Sequence, residues 1–178
     1  MLSDRHDAIA NEGIVIDLSA IIRSLAPLTE GLCNNFSEFA GLVLNHIEGL
    51  GKNSARIDIV ADLYYKDSIK GPTRRDRGSS GPRFLFSGNS SLPSDFVNDF
   101  LRNGDNKTDF NLFVATEAQN KRWNKDVFIT RGRTVVNCIN GDVCSMYEDD
   151  NLTLEEADNR IVCHISHMIE KGLCDIRV

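Results

Sequence analysis

Two short runs, each closed by an aspartate, do most to limit what this chain can fold into. They are Gly13-Ile14-Val15-Ile16-Asp17 and Arg56-Ile57-Asp58-Ile59-Val60-Ala61-Asp62. The first has the length and composition of a buried parallel strand, and the second reads as another strand. Between them, Phe36, Phe39, Ala40, Val43, Leu44 and Ile47 recur at helical spacing over 36–50, and Gly49 and Gly51 end the pattern. Strand, helix, strand is a βαβ unit, whose strands pair in parallel. Ligands of such sheets bind outside the carboxyl ends of the strands, so Asp17 and Asp62 are expected to open on one crevice. A lone aspartate there is most often a loop residue or a helix N-cap. Two at matching strand ends point to a site.

The rest of the chain extends the same architecture. Ser19-Ala20-Ile21-Ile22 begins a helix that Pro27 stops. Residues 78–94, GSSGPRFLFSGNSSLPS, are rich in Gly, Ser and Pro and predict a mobile loop, with PRFLF docking as a strand or an anchor. Two short helices are predicted at about 94–102 and 108–119, the first capped by Ser94 and broken near Gly104. A third sheet strand follows at 126–130. Stretches 134–139 and 142–147 then flank Asn140-Gly141, the signature of a hairpin with a type I′ turn. Thr153 and Glu156 form a capping box, Gly172 is the C′ stop, and 174–178 is a last short strand. His46 has no partner three or four residues away and reads as helix surface. The predicted fold is α/β: three layers, a mostly parallel central sheet with helices on both faces, and an added β-hairpin. One domain is expected over 1–178, because no segment could complete a core alone.

Composition excludes several classes of protein. No apolar run approaches a membrane span, and the N-terminus lacks a signal-peptide core. Five cysteines form no CxxC pair and sit mostly among apolar residues. They predict reduced, buried thiols in an intracellular protein, nuclear or cytoplasmic. A net charge of −6 argues against indiscriminate coating of nucleic acid and leaves room for a local basic patch. Neither early strand is followed by a GxGxxG or GxxxxGK[ST] phosphate loop, which weakens a small-molecule phosphate enzyme.

Leu154, Ala157, Ile161, Ile165, Met168 and Ile169 form one stripe of the last helix, with Asp158 close to its middle. A carboxylate facing a core is costly unless paired, so Asp158 suggests a metal or catalytic site. For Glu155 and Glu156 in the same turn, complementing the helix dipole is the alternative reading. The fourteen residues Tyr64 to Arg77 hold five of the chain's twenty lysines and arginines. A charge run alone is usually a solvated loop. Beside acids it is what phosphodiester chemistry needs: carboxylates hold divalent cations, and cations and guanidinium groups neutralise phosphate.

IVIDLSA, DIVADLYYKDSIKGPTRRDRG and EEADNRI, in that order, resemble the PIN-like, structure-specific 5′ nuclease superfamily, to which flap endonucleases belong. They look most like an uncharacterised group of invertebrate and mobile-element-associated proteins with the pattern IDG-A…VFD-Y…SIK…R-RG…EEADTRI. The resemblance spans nearly the whole chain, and the order of the motifs carries it. It implies that Asp17 and Asp62 are metal-binding aspartates, that Glu156 and Asp158 are the acid-x-acid pair beside Glu155, and that two Mg²⁺ or Mn²⁺ ions are held. It also implies that Lys70, Arg74, Arg75 and Arg77 contact the scissile phosphate of a DNA or RNA substrate. Leu18 and Ala61 depart from the pattern, and the second Asp-x-Asp expected after the last strand is missing from a sequence that stops at Val178. The expectation is therefore a nuclease domain truncated at its second metal site, weak or inactive as it stands. The alternative is a catalytically inactive α/β module for nucleic-acid or protein binding.

Overall fold

The computed structural model describes residues 12–26, 32–62, 81–147 and 157–178. Strand β1 (Gly13–Asp17) runs into helix α1 (Leu18–Leu25), and helix α2 (Phe36–Leu50) leads to strand β2 (Arg56–Val60). A π-helical turn (Phe96–Phe100) precedes helix α3 (Gly104–Asn120). Strands β3 (Asp126–Arg131), β4 (Thr134–Asn137) and β5 (Val143–Cys144), helix α4 (Ala157–Glu170) and strand β6 (Ile176–Arg177) complete the order.

The six strands form one sheet in the order β5-β4-β3-β2-β1-β6. Strands β1 and β2 are parallel neighbours with Ile14 opposite Ile57 and Ile16 opposite Ile59, as the βαβ argument requires. Strands β3 and β6 add in parallel, whereas β4 and β5 extend the sheet antiparallel. This is an α/β fold with a mixed, mostly parallel sheet. The strand order turns back at β1, and the carboxyl end of β1 carries Asp17. Among the described residues no helix is long and apolar enough to cross a membrane.

Alternation along the strands divides the interior in two. Ile14, Ile16, Ile57, Ile59, Val127 and Ile129 face α1, α2 and α3 and build the main core. Val15 and Val60 face the other way, against Ala157 and Met168 of α4. Eight of the nine phenylalanines gather in the main core, where Phe36 stacks on Phe86 at 4.1 Å and Phe39 on Phe110 at 5.5 Å. Phe84 and Phe86 anchor the irregular segment 81–94 to this cluster, and Leu85 between them points to solvent. The buried Asn106 amide bonds the Pro82 and Phe100 carbonyls and accepts from the Phe84 N–H, which fixes the segment's start.

Several local expectations change. The cap before the π-helical turn is Asp95 and not Ser94, since its carboxylate takes the Asn98 N–H at 2.8 Å. The first of the two helices does end before Gly104, and helix α3 begins at Gly104, four residues ahead of the expected 108, because the Asn103 side chain accepts from the N–H groups of Asp105 and Asn106. The β4–β5 hairpin is not type I′, which needs positive φ at both central residues: Gly141 has φ 77° and Asn140 does not. A four-residue loop closes it instead, with the Gly141 N–H on the Asn137 carbonyl. Gly172, at φ 86°, ends α4 as expected: the Leu173 N–H reaches the Met168 carbonyl and the Gly172 N–H that of Ile169, a Schellman closure. None of the five cysteines forms a disulfide; Cys138 alone is buried and Cys174 is exposed.

Candidate functional site

Asp17 ends β1 and caps α1. Its Oδ1 accepts from the Ser19 N–H at 2.8 Å and the Ala20 N–H at 3.2 Å. Asp62 lies two residues beyond β2 at the same edge of the sheet. Its Oδ2 accepts from the Ser19 hydroxyl at 3.3 Å and its Oδ1 from the Ala157 N–H at 2.8 Å. The two aspartates predicted to share a crevice are thus joined through one serine, and Asp62 also ties the start of α4 to β2.

Asp158 follows Ala157 directly. It does not point into the apolar side of its helix, as its spacing predicted: it is exposed. The inward ridge of α4 is Ala157, Arg160, His164 and Met168, with Ile161 and Ile165 half-buried on its flank and Ile169 outside. The helix turns this way because the sheet beneath it is polar, offering Asp58, Thr130 and two backbone carbonyls. Asp158 still belongs to the acid edge. Burial raises the Asp17 carboxyl above the usual carboxylate range, and the negative charges of Asp62 and then Asp158 add to the rise, against the two capping N–H groups. Of the other residues predicted for the site, Glu155, Glu156, Lys70, Arg74, Arg75 and Arg77 lie outside the described residues. Among the described residues no three His, Cys, Asp or Glu side chains are grouped to hold an ion.

A small hollow of about 220 Å³, open on one side, adjoins Asp62, with Thr108, Asn111, Thr130 and Arg160 in its walls. Arg160 is 1% exposed and donates from Nη1 to the carbonyls of Ala61 and Gly132, each at 3.0 Å. It thereby locks the chain just before Asp62 to the β3–β4 turn. Asn111 of α3 donates to the Asp62 carbonyl at 3.4 Å.

Behind the hollow runs a buried polar chain absent from the sequence-based site. The Thr130 hydroxyl meets the Tyr147 hydroxyl at 3.2 Å, and Tyr147 meets His164 Nε2 at 2.7 Å. His164 Nδ1 then donates to Asp58 Oδ2 at 2.6 Å. Asp58 receives a two-pronged Arg56, Nε to Oδ1 at 2.7 Å and Nη2 to Oδ2 at 2.8 Å, and that guanidinium lies 4.0 Å over the Phe128 ring. Arg56 Nη2 also donates to His167 Nδ1 at 2.9 Å. Burial drives the Tyr147 hydroxyl up to about 12. Asp58 and His164 are wholly buried, and among the described residues no buried side-chain nitrogen or oxygen lacks a hydrogen-bond partner. Two charged residues at i and i+2 inside strand 56–62, and a histidine on the apolar stripe of the last helix, were the available signals.

No protein-family model matches this chain, and no curated protein or solved structure matches it significantly.

Proposed function

We propose that the chain is a PIN-like, metal-dependent nuclease domain that hydrolyses phosphodiester bonds in nucleic acid. The observation that carries this reading is the pair Asp17 and Asp62, joined through Ser19 at the carboxyl edge of a parallel sheet, with Asp158 near enough to add to the rise of Asp17. The donors are carboxylate oxygens alone, which suits a hard dication such as Mg²⁺ or Mn²⁺. Asp17 and Asp62, with Asp158, Glu155 and Glu156 from the last helix, are the residues that would hold it. A bound ion would supply Lewis acidity and a water deprotonated near neutral pH. The protein's own part is positioning. Ser19 orients both strand-end carboxylates, Arg160 fixes the backbone before Asp62, and Lys70, Arg74, Arg75 and Arg77 are assigned to phosphate.

One observation favours a second reading. Both Asp62 oxygens already accept structural hydrogen bonds, and no ligating trio stands among the described residues. That arrangement suits an inactive α/β module that binds nucleic acid or protein. Labelled oligonucleotide incubated with the protein and Mn²⁺ separates the two. The nuclease reading expects weak cleavage that needs Mn²⁺ and is lost in Asp62→Asn. Binding without cleavage, equal in wild type and Asp62→Asn, supports the module.

A further inference from the structure

Strand β6 is an outer strand of the sheet. Among the described residues its one neighbour is β1, with Ile176 in register with Gly13 and Arg177 with Ile14. The Gly13 N–H bonds the Asp175 carbonyl at 3.1 Å, so the peptide groups of Asp175 and Arg177 face β1. Those of Ile176, between them, face outward. An outer strand whose N–H and C=O point away from the sheet is a template for another strand.

The helix beside this edge is apolar beyond what the core uses. Arg160 and His164 of α4 turn toward β2 and the β3–β4 turn, where they meet Asp58 and the carbonyls of Ala61 and Gly132. The opposite flank of α4 therefore looks toward β6. It carries Ile161 and Ile165, partly buried in the cluster that also holds Ile176. Beyond them stand Val162 and Ile169, 61% and 60% exposed. Val178, two residues on from Ile176 and so on the same face of the strand, is 70% exposed. Single apolar residues on a surface need no explanation, whereas a row of them along an open strand marks an interaction site.

The charges of the strand say what fits there. Asp175 and Arg177 flank Ile176, and both are exposed. A second β6 can lie antiparallel to the first with the two isoleucines opposite each other. Their outward N–H and C=O groups then bond reciprocally, and each Asp175 falls opposite the partner's Arg177. That position is the non-hydrogen-bonded pair, where facing side chains come closest and opposite charges attract. The two-fold axis of this pairing stands perpendicular to the sheet, so α4 and its copy meet on one face, apolar flank to apolar flank. The edge is complementary to itself in hydrogen bonds, charge and apolar surface.

We propose that β6 and the exposed flank of α4 form a self-association surface whose partner is a second copy of this chain, the two sheets joining through an antiparallel β6–β6 contact. The inference is independent of the nuclease reading. Strand β6 lies beside Gly13 and Ile14, the amino half of β1, so the contact leaves the carboxyl edge with Asp17 and Asp62 open.

Sedimentation equilibrium over a concentration series tests it. The wild type should pass from the 19.8 kDa chain to twice that mass as concentration rises. Asp175→Arg sets two arginines opposite each other and Arg177→Asp sets two aspartates so. Either should weaken association by about tenfold or more, since both attractive pairs become repulsive. Mixed in equal amounts, the two variants are complementary again at both pairs and should form a heterodimer, which also shows that each is folded. Ile169→Glu, at an exposed position, should weaken association as well. A dimer whose charge variants associate like the wild type overturns the β6 contact, and so do charge variants that fail to recover on mixing. A wild type that stays monomeric overturns the second copy as occupant and leaves the face to a different protein. Species that grow past the dimer overturn the closed two-fold pairing in favour of β6 on the β5 edge of the next copy.

Discussion

Ser19 donates its hydroxyl to Asp62 at 3.3 Å and its backbone N–H to Asp17 at 2.8 Å, so one residue at the start of α1 holds the carboxylates that end two neighbouring strands. The arrangement fixes their directions without neutralising their charge. Asp17 carries the imbalance: burial and its two acidic neighbours raise its carboxyl despite the capping N–H groups.

Asp17→Asn should therefore stabilise the protein at neutral pH. Asparagine caps a helix as well as aspartate, so α1 keeps its cap. The anion also gains from the helix dipole, and the raised pKa says that burial and repulsion outweigh that gain. Between the ordinary and the raised pKa the native state binds more protons than the unfolded state, so wild-type stability falls as pH rises through that window. The advantage of Asp17→Asn should be full above the raised pKa and vanish as pH falls to the ordinary aspartate range. Urea melts of both proteins across acidic and neutral pH measure this; an equal or less stable variant at neutral pH contradicts it.

The Asp58 network should be the most sensitive polar feature of the fold. Asp58→Asn leaves Arg56 buried without its counter-charge and leaves only one acceptor oxygen for the three bonds from Arg56 and His164. Breaking one side of a buried ion pair costs about 3–5 kcal/mol. A drop in the urea midpoint with unchanged slope is the expected record, and a loss below about 1 kcal/mol would show that water reaches Arg56.

His167 gives this network a pH dependence. Burial, and then the Arg56 charge, lower its pKa below the ordinary histidine value, and its Nδ1 accepts from Arg56 only while neutral. The unfolded chain binds the proton first, so stability should fall as pH drops through the ordinary histidine range. His167→Gln keeps an acceptor and lacks the titration, and its stability should be flatter over that range. Parallel profiles for the two proteins would exclude His167 as the cause.

Lys125 closes the loop between α2 and β2. Its ammonium donates to the carbonyls of Gly51, Lys52 and Ser54 at 2.6, 3.0 and 2.8 Å. Lys125→Met keeps the stem and removes the donors, and should cost about 1.5–3 kcal/mol, the range for hydrogen bonds to a charged group. Chemical denaturation gives the value directly.

Much of the fold was legible because its signals are local. The apolar runs at 13–17 and 126–130, the spacing from Phe36 to Ile47 and the stop at Gly172 each specify an element without reference to the rest. The site was legible where position followed from topology: Asp17 and Asp62 had to share an edge once β1 and β2 paired in parallel. Asp158 was misplaced because helical spacing alone does not fix how a helix rotates on a sheet. Here the polar face of β2 and β3 selected Arg160 and His164 over the all-apolar stripe. Asp58 was passed over because a charge in the middle of a strand reads as surface until its partners, 106 residues away in the case of His164, are known.

The central claim, that the acid edge holds a divalent cation, is tested most directly by the thermal midpoint of the protein with and without Mn²⁺. An ion that binds the folded state alone stabilises it by about 2.7 kcal/mol at one hundred times its dissociation constant. Each kcal/mol raises the midpoint of a domain of this size by about 2–4 °C. The wild type should therefore gain several degrees in saturating Mn²⁺, and Asp17→Asn and Asp62→Asn should gain markedly less. A wild-type midpoint that does not move at millimolar Mn²⁺ contradicts the claim.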